Sequence, residues 1–186
     1  MADVKSGLDV SKELKEILYV KEDGKERKVE KKDCKAQKNQ INQHYENLIK
    51  KVNQDIKNGI LNIDLEAYLQ PEGVCEVIAY AVGCRGKLKR SQLRKFFNEI
   101  KTIEYDLKSG EDVKKIQIRI LALIPKLAYS KGRELIDEEF YEFMKAILMK
   151  VKEDMNKENP QEVFEVFVKI LESIVAYHTY HFPKEA

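Results

Sequence analysis

Apolar residues recur every three or four positions over most of this chain, which is the spacing that amphipathic helices require. The first clear series begins at Ile41 and ends at Ile56, shortly before the helix-stopping dipeptide Asn58-Gly59. Later series predict further helices over about 71–83, 89–108, 114–132, 137–151 and 160–182. The pattern predicts an all-α fold, a compact bundle of about five to six helices, in a single domain over residues 36–186.

Capping and helix-breaking residues indicate where these helices begin and end. Asp137 is an expected N-cap, because its carboxylate can accept hydrogen bonds from the first backbone N–H groups of the following helix. Pro71 is expected at the first position of its helix, where the N–H group that proline lacks would have no helical partner. Pro125 lies inside a helical series and predicts a kink or a break, and Gly132 is expected to end that helix in the left-handed conformation.

Residues 1–35 lack a sustained helical period and are rich in charged side chains. Asp9 or Ser11 would cap a short helix here. Alternatively, Ile17–Val20 would form one arm of a hairpin, with Asp23-Gly24 as its turn. The local structure therefore stays open, and we expect a charged N-terminal extension that is mobile relative to the bundle.

The composition limits the class of protein. At 186 residues the chain is long enough for one domain with an appendage and a sizeable core. A hydrophobic content of 43%, a charged content of 35% and few glycines and prolines are typical of a soluble helical protein. The chain has no apolar run of about 18 residues, and its first residues lack the apolar core of a signal peptide. We therefore expect a cytoplasmic protein without a membrane partner.

The cysteines and histidines give little indication of a metal or redox site. Cys34, Cys75 and Cys84 are odd in number and widely spaced, so we expect reduced thiols rather than a disulfide framework. His178 and His181 are three residues apart and can share a helix face, but no ligand motif accompanies them. We expect neither a metal nor another cofactor.

Charge is distributed unevenly along the chain, although the net charge is only +2. Residues 85–133 contain 14 basic and 5 acidic residues, a balance of +9, whereas residues 134–186 contain 6 and 12, a balance of −6. A concentrated basic segment indicates a polyanionic partner. The acidic C-terminal third would suit a basic protein neighbour.

Two consecutive predicted helices carry basic residues beside their apolar faces. On a helical wheel, one flank of the second helix comprises Lys115, Arg119, Lys126 and Arg133, and one flank of the first comprises Arg90, Arg94, Lys101 and Lys108. The turn Ser109-Gly110 is short, so the two helices should form an antiparallel hairpin. We expect this hairpin to bring both basic edges together as one groove wall.

Three short segments resemble a known family. They are Leu88–Phe97 (LKRSQLRKFF), Leu123–Tyr129 (LIPKLAY) with Gly132-Arg133, and Glu172–His178 (ESIVAYH). In order and separation they are similar to the small helical subunit of type III-A CRISPR RNA-guided interference complexes, over about Asn39–His181. The chain departs from that family where threonine caps often precede Ser-Gln-Leu-Arg, since Lys89 and Arg90 stand there, and in its longer N-terminal region.

The resemblance implies a non-catalytic, all-helical subunit that is present in several copies beside the backbone subunits holding the guide RNA. It implies that the subunit helps to seat the guide RNA and the target RNA through phosphate contacts, in antiviral defence. By motif position, the RNA-facing residues would be Arg94, Lys95, Lys126 and Arg133. The helical wheels add Lys89, Arg90, Lys115 and Arg119 to this set.

Two other classes of function compete with sequence-independent RNA binding. One is a protein-only scaffold or adaptor, in which the basic middle of one copy meets the acidic third of another copy. The other is an enzyme, for example a ribonuclease using His44 or His178. Neither histidine is accompanied by a carboxylate constellation or a glycine-rich phosphate loop, which disfavours an enzyme.

Overall fold

The computed structural model describes residues 8–86 and 88–183 and shows a helical bundle. Its main helices are α2 (Lys38–Ile56), α4 (Val74–Cys84), α5 (Arg90–Lys108), α6 (Val113–Gly132), α7 (Glu138–Asp154) and α8 (Pro160–His181). Their order and extent confirm the predicted all-α class. Shorter elements are α1 (Ser11–Leu18), β1 (Tyr19–Glu22), β2 (Lys25–Lys28) and α3 (Leu65–Leu69). None of the described helices is both long enough and apolar enough to cross a membrane.

The core is built around α8, which packs against α3, α4, α5 and α7, while α6 and α2 pack on α7. The residues from Val74 to Val82 are all buried, so α4 is enclosed on every side. This explains why its sequence is apolar almost all round rather than on one stripe. Phe143 of α7 and Phe164 and Phe167 of α8 are among the largest fully buried side chains of the core.

The capping residues act as predicted at one helix and differently at another. The Asp137 carboxylate accepts a hydrogen bond from the backbone N–H of Phe140 at 2.8 Å, which confirms the predicted N-cap of α7. Pro71 lies in a turn before α4 rather than at its first position, so that prediction is wrong. The N-cap is Gly73, where a Cβ atom would lie 2.6 Å from the carbonyl oxygen of Ala67.

Pro125 does not break α6, which is assigned as helix without interruption from Val113 to Gly132. Pro125 is exposed, so the helical hydrogen bond that it removes is lost on the solvent side of α6, where the helix can tolerate the loss. The residue in the left-handed conformation is Glu134, with φ of 56°, and not Gly132 as predicted. Leu135 N–H donates to Ser130 O at 2.9 Å, so α6 ends in a Schellman motif whose left-handed residue lies two positions later than expected.

The described part of the expected N-terminal extension packs against the bundle. Its sequence forms both of the structures left open above, because α1 runs into a β1–β2 hairpin that turns at Asp23 and Gly24, both with positive φ. Ile17 and Leu18 are fully buried, and α1 contacts α2 and α4. The few apolar residues of this segment therefore pack where α1 meets the bundle, and a count of charged residues does not reveal this contact. Residues 1–7 lie outside the described residues.

Cys34 and Cys84 form a disulfide, which corrects the expectation of reduced thiols for these two residues. They are 50 residues apart in sequence, and the 3-10 turn Lys31–Cys34 that follows β2 returns the chain to the end of α4. The spacing of the cysteines gave no indication of this contact, because it depends on the packing of the N-terminal segment. Cys75 is a buried free thiol, and burial raises its pKa.

Candidate nucleic-acid interface

Helices α5 and α6 form the predicted antiparallel hairpin. Gly110, with φ of 90°, provides the left-handed residue that ends α5, and Glu111 N–H donates to Asp106 O at 3.0 Å. The Asp112 carboxylate then accepts from Lys115 N–H at 3.1 Å and caps α6. This compact turn fixes which side of α5 faces α6.

The basic flank of α6 is partly neutralised by acidic residues. Arg119 pairs with Asp106, Lys126 pairs with Glu99, and Lys115 pairs with Glu111 at 3.1 Å. Two of these partners lie on α5, so they were not visible on the wheel of α6 alone. The expectation of an unneutralised basic edge along α6 is therefore wrong over its first three cationic positions.

The two basic flanks also do not form one wall. Glu99 and Asp106 are seven residues apart and define the edge of α5 that faces α6. The basic flank of α5, which includes Arg94, Lys101 and Lys108, lies about 120–180° around the helix from that edge. Acidic residues of α5 thus face basic residues of α6 across the hairpin. The basic flank of α5 lies on a different side of the helix from its acidic edge.

The basic flank of α5 is itself paired in its second half. Lys101 and Lys108 both bind the Glu104 carboxylate, Lys108 at 2.8 Å. Burial opposes ionisation of Glu104, but the hydrogen bonds from the two lysines outweigh it and lower its pKa. This part of the flank is therefore a structural ion-pair cluster.

Uncompensated positive charge is concentrated at the start of α5. Lys89, Arg94 and Lys95 are exposed, and within residues 8–86 and 88–183 none of them forms an ion pair. The first turn of α5 contains no acidic residue, so its backbone N–H groups add to the positive potential there. An anionic ligand would meet this end of the hairpin first.

Arg90 has a different role from its neighbours. It is half-buried, and its Nη1 donates a hydrogen bond to the carbonyl oxygen of Pro183 at 3.0 Å. The contact ties the start of α5 to the chain that follows α8. We therefore regard Arg90 as a residue that anchors the C-terminal end of the bundle, which its place on the helical wheel does not reveal.

Arg133 has an aromatic partner in place of an acidic one. Its guanidinium group lies 5.6 Å from the ring centroid of Tyr129, and Nη1 donates to the Tyr129 hydroxyl group at 3.2 Å. The Tyr129 side chain is 64% exposed, so both groups can reach a ligand. Tyr129 was not predicted as a site residue, although it lies in the segment Leu123–Tyr129 that resembles the family, which was the available signal.

A groove of about 240 Å³ separates the first half of α5 from the second half of α6. Its floor is apolar and includes Leu93, Phe96 and Leu127, and its rim carries Lys95 and Lys126. The hairpin thus brings together Lys95 and Lys126, whereas Lys115 and Arg119 lie towards the opposite end, near the turn.

The histidines considered above lie away from this groove. His178 is fully buried in α8, and His181 forms a 2.8 Å contact with the Glu76 carboxylate in the core. In the part of the chain that the structure describes, no group of three or more His, Cys, Asp or Glu side chains is arranged to hold a metal ion.

Comparison with known families identifies the segment that contains the hairpin. The family model described as Csm2 Type III-A matches residues 72–184, which include α4 to α8 and more than half of the chain. The match begins later than the resemblance over Asn39–His181 suggested, so α2 lies outside it. No curated protein and no solved structure matches the chain. The chain belongs to the Csm2 type III-A family, which confirms its identification with the small subunit of type III-A CRISPR complexes.

Proposed function

We propose that this small subunit binds the phosphate backbone of guide and target RNA without reading sequence, and that it has no catalytic role. The observation that carries the proposal is the group of exposed cations Lys89, Arg94 and Lys95 at the start of α5, which form no ion pair with any described residue. We call these three residues the open cation cluster. Lys126 and Arg133, at the end of α6, extend this surface on the side of Lys95, since Lys95 and Lys126 line the same groove.

The side chains available favour phosphate over base recognition. Arg and Lys bind phosphate oxygens through charge-assisted hydrogen bonds and position a strand without specifying its sequence. Target RNA changes with every guide, so a subunit that serves all guides must avoid base contacts. A positive helix N-terminus next to the open cation cluster suits the same ligand.

The ion-paired cations have a lesser role in this proposal. Lys115, Arg119 and Lys126 would contribute less per residue than the open cation cluster, because each has an acidic partner that competes with phosphate. The paired residues set the geometry of the hairpin, and the open cations supply most of the attraction. The proposed setting is the cytoplasm, beside the backbone subunits and other copies of this chain.

The test is RNA affinity measured as a function of salt for Arg94→Gln combined with Lys95→Gln. We expect the double substitution to weaken binding about 10-fold at low salt and to reduce the magnitude of the salt slope by about 1.5, as for two lost phosphate contacts. The matched control is Lys157→Gln with Lys169→Gln, which removes the same charge from the acidic part of the chain. Equal affinity and equal slope for the two double variants would contradict the proposal.

A second candidate is a protein-only scaffold, and the outer face of α6 favours it. Ile118 is 66% exposed, and Ala122, Pro125 and Tyr129 are exposed on the same face. Such an apolar stripe is typical of a protein contact. Gel filtration with and without RNA separates the two candidates, because self-association that RNA does not alter would favour the scaffold.

A further inference from the structure

We propose that Cys34 and Cys84 form a redox clasp, a thiol–disulfide exchange site that reacts with a small anionic thiol of the glutathione class. The disulfide joins the 3-10 turn Lys31–Cys34 to the last residue of α4. Cys34 lies outside the matched family range, and Cys84 lies within it. The redox clasp is independent of RNA binding, since it involves neither the open cation cluster nor α6.

Both cysteines of the disulfide lie at an open cleft. Both cysteines are half-buried, and both line an open cleft of about 600 Å³ that is bounded by α2 and the start of α7. Exchange requires a thiolate to reach a disulfide sulfur, so a disulfide that lines a wide cleft can react without unfolding of the chain. Cys75 provides the contrast, because it is buried and its thiol pKa is raised.

Two lysines make the Cys34 side of the cleft positive. Lys35 and Lys38 follow Cys34, are exposed and line the cleft, and neither forms an ion pair with any residue that the structure describes. A positive potential raises the local concentration of an anionic thiol and stabilises thiolates over thiols. The first effect accelerates exchange with glutathione relative to a neutral thiol, and the second assists the departure of the nearby cysteine whichever thiol attacks.

The acidic side chains of the cleft cancel only part of this potential, because three carboxylates have two cationic partners of their own. Glu139 pairs with Arg85, Asp137 lies 3.9 Å from the same guanidinium group, and Glu46 pairs with Lys50 at 2.6 Å. The Arg85 guanidinium group also stacks on the Tyr45 ring at 4.9 Å, which holds it at the wall of the cleft. Lys35 and Lys38 are therefore the cations that a small anion would meet.

The exchange has a preferred direction. The small thiolate attacks Sγ of Cys84, the S–S bond breaks, and Cys34 leaves with the electron pair as a thiolate, which then takes a proton from water. Cys34 is the better leaving group, because Lys35 and Lys38 stabilise its thiolate, whereas Cys84 lies at the negative end of α4. A second small thiolate attacks the mixed disulfide and releases Cys84, so two cysteines are reduced and two small thiols are oxidised.

Opening of the redox clasp should loosen the chain locally. The β1–β2 hairpin and the residues just after it keep other contacts with α4. Lys28 of β2 pairs with Glu76 at 2.8 Å, and the Tyr80 hydroxyl group donates to Glu30 O at 3.1 Å. The segments that lose their tether are the turn before Cys34 and the connector that leads from Cys84 to α5. The oxidised clasp thus fixes the N-terminal segment on the matched family region.

The experiment compares glutathione with neutral β-mercaptoethanol on the oxidised full-length protein, at equal thiolate concentration, with mixed disulfides located by mass spectrometry. We expect exchange several-fold faster with glutathione at low salt, the preference to fade at high salt, and the mixed disulfide at Cys84. Lys35→Gln with Lys38→Gln should remove the preference. Lys12→Gln with Lys21→Gln, which changes two exposed lysines that do not line the cleft, should keep it.

Two results would overturn the proposal. One is that a mild oxidant such as diamide leaves Cys34 and Cys84 both open to alkylation in the folded protein, because no clasp would then form. The other is the same ratio of glutathione to β-mercaptoethanol rates in the wild type and in the Lys35→Gln, Lys38→Gln variant. A wild-type ratio that these two substitutions abolish, with a Cys84 adduct, would support it.

Discussion

Arg119 of α6 forms an ion pair with Asp106 of α5, thirteen residues earlier in the chain. Two turns further from the loop, Lys126 pairs with Glu99. Within each pair, the two residues are equally far along the chain from the turn between the helices. The pairs are therefore successive rungs across an antiparallel hairpin. They align the two helices and place acidic groups beside cations that would otherwise face an anionic ligand.

Removal of the acidic partners should strengthen RNA binding. In the variant Glu99→Gln with Asp106→Asn, Lys126 and Arg119 lose their competitors for phosphate. We expect affinity to rise by about 3- to 10-fold at low salt, with a salt slope steeper by about 1.5. The cost in folding free energy should stay within about 1 kcal/mol, because partly exposed ion pairs contribute little. Fluorescence anisotropy with a labelled RNA over a salt series measures both quantities.

The control for this variant is Glu158→Gln with Glu172→Gln, which makes the same change in net charge on exposed residues of the acidic third. If net charge alone governed RNA attraction, both variants would gain affinity equally. A larger gain for the hairpin variant supports the competition between carboxylate and phosphate, and equal gains would rule it out.

Sequence alone predicted the helices well, because the helical period is a local property. The signal for the ion-pair rungs was also present, although it was missed. Glu99 and Asp106 are seven residues apart on one arm, and Arg119 and Lys126 are seven residues apart on the other. A single-helix wheel shows the cations without their partners, and only both arms considered together show which edges face each other.

The packing of the N-terminal segment and its disulfide were beyond prediction for a different reason. Ile17 and Leu18 are fully buried, and with Leu14 they have the spacing of a short helix, but that spacing does not show which part of the bundle the helix packs against. The pairing of Cys34 with Cys84 then depends on where that segment packs. Long-range contacts of this kind arise from tertiary packing, which neither composition nor spacing encodes.

Two glycine substitutions should have opposite effects on stability. At Gly83 an added Cβ would lie 2.0 Å from the Phe182 ring, so Gly83→Ala forces the ring or α4 to move. We expect a loss of about 1–3 kcal/mol in the free energy of unfolding. Gly132 is in α6 with open space around its Cβ position, so Gly132→Ala should add about 0.5–1 kcal/mol. Urea denaturation followed by circular dichroism measures both, and similar changes for the two variants would contradict this account.

The burial of α1 also makes a prediction about the domain boundary. Ile17→Ala should lower the free energy of unfolding by about 2–5 kcal/mol, because the side chain is fully buried where α1 meets the bundle. Lys21→Ala, at an exposed position of β1, is the control and should change it by less than about 0.5 kcal/mol. If Ile17→Ala were as mild as its control, residues 8–34 would behave as the mobile extension that the charge pattern suggested.

A buried carboxylate connects three separate parts of the fold. Glu76 of α4 is fully buried, and its Oε1 lies 2.8 Å from Lys28 Nζ of β2 and 2.8 Å from His181 Nε2 of α8. Its Oε2 accepts a hydrogen bond from Glu72 N–H at 2.6 Å. Burial opposes ionisation of this carboxyl group, but the bonds from His181, Lys28 and the Glu72 backbone outweigh it and lower its pKa to about 2.

This shift predicts how stability depends on pH. A carboxyl group with a lowered pKa in the folded state stabilises the protein above its unfolded pKa, near 4.5, and that contribution is lost as the pH falls towards 2. Glu76→Gln keeps the shape but removes the charge, and should cost about 1–3 kcal/mol at pH 7. The difference between wild type and variant should shrink between about pH 5 and pH 2. Urea denaturation of both proteins at pH 7, 5, 4 and 3 measures this difference. Taking the difference removes the effect of the other carboxylates, because both proteins contain them. A constant difference over this range would contradict this account, because the loss in the variant would then not follow the ionisation of Glu76.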